Sequence, residues 1–136
     1  MSPEALPAEI GALADWRWGE PGFRRAVLPD VAAAAAAHGL AARGGQVQVR
    51  TPDQTFELFW TDYDPTPRRE GEPWGDWAGR SWKELLFLAA DLPGEDRLAV
   101  EAIARFDELA GTDPAAVAAG LWFVIYFDPA GRDAGG

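Results

Sequence analysis

Cysteine and asparagine are absent from this chain, histidine and lysine occur once each (His38, Lys83), and serine only at Ser2 and Ser81. Without cysteine there is no disulfide, no thiolate metal site and no cysteine nucleophile. A lone histidine removes the usual His-rich metal centre. A Ser-His-Asp set would have to recruit Ser2, in a terminus read as loose, or Ser81, which is better explained as a helix cap. His38 itself falls at a helix end, where it is read as a charge near the C-terminus or a solvated side chain.

Positive charge is scarce too. Twelve Lys and Arg stand against 22 Asp and Glu, a net charge of −10, whereas phosphate recognition needs clustered cations. Nucleic acid and acidic membrane surfaces are therefore excluded as partners. Hydrophobic runs of spanning length and a leader-like N-terminus are likewise missing, which predicts a soluble, cytoplasmic protein. The acidic surplus keeps the protein in solution, meets a partner with a basic surface, or mimics a polyanion.

What is present is enough for one core. At 136 residues with 48% hydrophobic composition, the chain reads as a single domain over 1–128 followed by a loose small-residue tail over 129–136. Leu121-Trp122-Phe123-Val124-Ile125-Tyr126-Phe127 is an unbroken apolar run, rich in aromatic and β-branched residues and bounded by Gly120 and Asp128-Pro129. It predicts a central strand with both faces covered.

Gln46 to Arg50 and Thr55 to Leu58 alternate, with the second run continuing into Phe59-Trp60. Folding back at Pro52-Asp53 sets Val49 against Phe56, Val47 against Leu58 and Gln48 against Glu57. If the outer strand of this 46–61 hairpin is unpaired, Gln46, Gln48 and Arg50 line an exposed edge. Helices are expected within 3–15 (Leu6, Ile10, Leu13 and Ala14 in a stripe), over Pro29–His38, over 81–90 (with a strand over 84–90 as the alternative), from Glu95 to Ala110 and from Pro114 to Ala119. Ser81-Trp82-Lys83-Glu84 matches a capping box. Glu101 and Arg105 have the spacing of a helical ion pair, Asp113 is a natural N-cap, and residues 23–28 are ambiguous between strand and helix. The sum is an α+β fold, a mainly antiparallel sheet with helices packed chiefly on one face.

Residues 61–80 carry three prolines and three glycines without periodicity and read as a long loop. Asp62 and Asp64 flank Tyr63, an oxygen-ligand spacing, but as an EF-hand loop the segment fails, with Pro67 at the turn glycine and Pro73 at the bidentate acid. The loop also holds Trp74, Asp76, Trp77 and Arg80; rigid indoles beside charged groups suit a binding surface, or else they fold inward and pin the loop. The leading expectation is a small acidic, non-enzymatic binding or regulatory module. It engages a protein partner through Asp62, Asp64, Trp74, Asp76, Trp77 and Arg80, with no metal and no cofactor. A small-molecule binder or carboxylate enzyme, pairing Asp62 or Asp64 with Arg68 or Arg80 under the 61–80 loop, is the second reading. A homodimer or larger homo-oligomer joined at a sheet edge is the third.

Overall fold

A computed structural model describes residues 5–129. Five antiparallel strands form one sheet: β1 (Asp15–Arg17), β2 (Glu20–Phe23), β3 (Leu40–Arg50), β4 (Thr55–Leu58) and β5 (Leu121–Pro129). Their spatial order is β1-β2-β5-β3-β4, and the sheet curls into a half-barrel. Among the described residues five α-helices accompany it: α1 (Ala8–Gly11), α2 (Leu28–Ala37), α3 (Trp74–Asp91), α4 (Glu95–Arg105) and α5 (Pro114–Ala119). The fold is α+β, as the pattern of elements predicts.

β5 lies mid-sheet, antiparallel to both β2 and β3. Its alternate residues Leu121, Phe123, Ile125 and Phe127 are buried in the main core with Leu85 and Ala89 of α3 and Val31 and Ala35 of α2. The opposite face is covered less evenly. Val124 is fully buried there, whereas Trp122 and Tyr126 are half-buried, the first under the Arg24 guanidinium and the second bonded to Glu20. The hairpin register is the predicted one, Val47 opposite Leu58, Gln48 opposite Glu57 and Val49 opposite Phe56. The second strand stops at Leu58 rather than Trp60, because Thr61 turns back onto the Leu58 carbonyl through both its amide and its hydroxyl. β3, moreover, is interior, with β5 on its other side. Gln48 and Arg50 are therefore buried instead of lining an edge.

The largest correction concerns residues 74–80. α3 begins at Trp74, with Pro73 in extended conformation before it, so the loop ends seven residues earlier than its glycines and prolines suggest. Ser81 is accordingly no cap. It is fully buried inside α3, where its hydroxyl donates to the Ala78 carbonyl (2.7 Å) and accepts the Ala42 amide (2.9 Å), tying helix to sheet. Glu84, the supposed partner in the box, instead accepts from the Thr66 amide and from Arg80. The expected Glu101–Arg105 pair also gives way. Glu101 accepts from Arg97 and from the Trp60 indole, and Arg105 lies over the Trp60 ring at 4.3 Å.

Asp113 precedes α5 but makes no side-chain cap. The N-terminal helix is a single turn after Pro7, although Leu6 and Ile10 are buried and Leu13 and Ala14 pack on the core as the stripe implies. Residues 23–28 divide: Phe23 ends β2, and a 3₁₀ turn over Arg25–Val27 leads into α2. Gly39 stops α2 with φ +71°, as its position predicts. Of the tail at 129–136, Pro129 pairs with Leu40 in β5 and the remainder lies outside the described residues. Among the described residues no helix is long and apolar enough to cross a membrane.

Candidate functional site

The segment after β4 runs on beside β3. The Tyr63 amide donates to the Gly45 carbonyl, and the Gly45 amide to the Asp64 carboxylate (3.1 Å). This extended course sends Tyr63 into the core, where its hydroxyl donates to the Val124 carbonyl (2.6 Å) and its ring stacks on Phe123. Asp62 and Asp64 then fall together on the solvent side, both exposed. Partial burial, and next the charge of Asp64, raise the Asp62 carboxyl above its ordinary range. Asp64 also walls a shallow groove of about 400 Å³ with Lys83, Glu84 and Phe87, the last 73% exposed.

The other proposed binding residues are not gathered with these carboxylates on one open face. Trp77 is buried against Ala41 and Ala78. Trp74 is half-buried, donating its indole N–H to the Gly39 carbonyl (2.7 Å), with Arg68 over its ring. Asp76 is exposed in the first turn of α3. Arg80 works as a staple. Its five N–H groups reach Glu72 twice, Glu84, and the carbonyls of Thr66 and Pro67, and it lies 5.1 Å from the Trp77 ring centroid. These contacts hold the 66–72 bend against α3.

Arg80, and after it the Arg69 amide, hold the Glu72 carboxyl down at about 2, against an ordinary 4.5. A carboxyl more acidic in the folded than in the unfolded chain stabilises the fold above its unfolded pKa. That stabilisation drains away as pH falls from about 4.5 towards about 2. Glu72→Gln should therefore show a shallower fall of melting temperature than wild type across that interval. Superimposable melting-temperature profiles would remove the assignment.

A second polar assembly, unforeseen from the sequence, fills the concave face of the half-barrel. The Arg50 guanidinium, its side chain 1% exposed, donates to the Asp15 carbonyl (2.7 Å) and carboxylate (2.9 Å), the Glu20 carbonyl (3.1 Å) and Gln48 Oε1 (3.2 Å). Gln48 and Tyr126 in turn donate to the two carboxylate oxygens of Glu20 (both 2.9 Å). Burial, followed by Glu20, pushes the Tyr126 phenol up to about 12. Trp122 lies in the same face, with the Arg24 guanidinium 3.6 Å from its ring centroid. A cue existed in the sequence, since Gln46, Gln48, Arg50 and Glu57 make one face of the hairpin polar. Their partners Asp15 and Glu20 are far away along the chain, and nothing local joins them.

The rim of the half-barrel holds the third feature. Arg17 donates to the carbonyls of Thr51 and Gln54, drawing the β1–β2 turn over the hairpin end. At that turn Trp18 is 70% exposed and Phe59, just past β4, is 64% exposed. Among the described residues no group of three or more His, Asp or Glu is arranged to hold a metal ion. His38 sits on the surface against Glu9. The chain matches no family model, no curated protein and no solved structure, so its residues alone carry the functional argument.

Proposed function

We propose that this chain is a small non-enzymatic binding protein that engages a protein partner of basic surface along the acidic rim running from Asp53 to Asp64. The observation that carries this reading is the exposed Asp62/Asp64 pair, presented on one side of an extended segment where partial burial, and next the Asp64 charge, disfavour the Asp62 carboxylate. A cationic partner relieves that repulsion. Phe59 and Phe87 supply exposed apolar contact nearby, and the net charge of −10 draws a basic partner in. The indoles of Trp74 and Trp77 pack at the start of β3, against Ala41 and the Gly39 carbonyl, rather than forming the rim's surface. The polar side chains with the most partners, Arg50, Gln48, Ser81 and Arg80, bond to neighbouring carboxylates, to one another or to main chain and serve the architecture.

Fluorescence anisotropy with a labelled deca-arginine peptide at low salt tests the assignment. Asp62→Asn/Asp64→Asn should weaken binding about fivefold, as two exposed charge contacts imply. Asp91→Asn/Asp96→Asn removes the same charge elsewhere on the exposed surface and should leave affinity nearly unchanged. Equal weakening by both pairs would reduce the effect to net charge and sink the reading.

A further inference from the structure

The rim carries a more specific site, and this inference rests on the acidic-rim reading while going further. Along the outer side of β4 runs a groove of about 560 Å³, walled by Trp18 of the β1–β2 turn and, across β4, by Phe106 and Glu108; Asp53, Thr55 and Glu57 also line it. Three carboxylates line this groove and, among the described residues, no basic side chain does, although Arg17 lies 5.7 Å from the Trp18 ring centroid. β4 is the sheet's edge strand. The Thr51 amide donates to the Gln54 carbonyl at 2.9 Å, and antiparallel alternation from that pair turns the main-chain groups of Thr55 and Glu57 away from β3. The Glu57 carbonyl is taken by the Phe59 amide. The Thr55 amide and carbonyl and the Glu57 amide remain directed at the groove.

Trp18 is the anomaly of this rim. It stands at φ +49° with Gly19 at φ +79°, both positive, as a two-residue I′ turn requires. Asparagine is the residue favoured at the first of these positions, and a bulky side chain there is strained. An indole that is both strained and 70% exposed contributes little to folding. Exposed tryptophan beside a groove is, however, the side chain most enriched among strong interface contacts.

The geometry points to β-strand addition: the groove receives an extended, basic segment of a partner protein, which hydrogen-bonds to the free edge at Thr55 and Glu57. Cationic side chains of that segment would meet Asp53, Glu57 and Glu108, and an apolar stem would pack on the exposed Trp18 indole beside Arg17. The occupant is identified by complementarity: three carboxylates select cations, the open edge selects an extended backbone, and the indole suits an Arg or Lys stem.

An alternating Arg-Val heptapeptide and its analogue N-methylated on alternate amides are the probes. The methyl groups block edge pairing and leave the charge intact. The plain peptide should bind at least tenfold more tightly than the methylated one. Trp18→Asn should lower its affinity tenfold or more while leaving the urea midpoint equal to wild type or higher, since asparagine suits the turn. Glu57→Gln/Glu108→Gln should weaken binding and flatten its dependence on salt. Equal binding of the two peptides, or indifference to Trp18→Asn, overturns strand addition. If such binding still responds to Asp62→Asn/Asp64→Asn, the acidic-rim function stands without it. No binding of either peptide, with deca-arginine also silent, overturns both.

Discussion

Gly45→Ala is expected to leave no cooperatively folded sheet. A Cβ at this position would lie 2.0 Å from the Val124 carbonyl oxygen and 2.4 Å from the Tyr63 ring. The first obstacle is backbone of the central strand and cannot swing aside. Relief requires β3 and β5 to part, and with them the Tyr63 hydroxyl bond to Val124. The loss should exceed about 4 kcal/mol, a range few single substitutions reach, against a total stability of roughly 5–15 kcal/mol for a domain of ordinary size. Far-UV circular dichroism and a urea titration measure it. Gly75→Ala is the matched control. A Cβ there meets nothing within 4 Å on the α3 surface, and alanine should stabilise by roughly 0.5–1 kcal/mol. Two Gly→Ala changes of opposite sign would tie the effect to the β3–β5 approach. A wild-type urea midpoint for Gly45→Ala would show that the strands do not lie this close.

Arg50→Ala is the second large effect. The guanidinium is the hub of the concave face, joining β1, β2 and β3 through Asp15, Glu20 and Gln48. Its removal leaves two main-chain carbonyls and a glutamine oxygen without their donor, and vacates the space against Gly22 and Trp122. Asp15 is half-exposed and can regain water, so the cost falls at the low end for a broken buried pair, about 3 kcal/mol. The urea midpoint should drop with little change in slope. Arg50→Lys should recover only part of the loss, because an ammonium cannot reproduce the planar fork that reaches all three strands. Arg97→Ala, breaking an ion pair whose arginine side chain is 74% exposed, should change stability by less than about 0.5 kcal/mol. If Arg50→Ala matched Arg97→Ala, the concave network would be no part of what holds the curl.

These two positions also mark how far the sequence could be read. The hairpin register was legible because Val47, Val49, Phe56 and Leu58 alternate with polar neighbours, and a slip of one residue would reverse every face. The central strand was legible from its apolar run. The start of α3 was not. Gly75 and Gly79 each disfavour a helix by about 1 kcal/mol, and the offsetting burial of Trp77, Ala78 and Trp82 exists only once the sheet is in place. Ser81 followed by Glu84 satisfies a capping pattern by spacing alone, although the serine bonds inward to Ala42. Of the candidate binding residues, Asp62 and Asp64 were legible by their alternation around Tyr63, which buries one side chain and exposes two. Trp18 was not distinguishable from the other tryptophans, because its oddity is a backbone angle.

The strand that joins the two halves of the sheet follows both of them along the chain. β2 and β3 never touch as neighbours; β5 lies between them. Without Leu121–Pro129 in place the sheet is two separate hairpins, and isolated hairpins are at best marginal in water. Completion of the sheet therefore depends on contacts distant along the chain, and closure of those long loops slows folding.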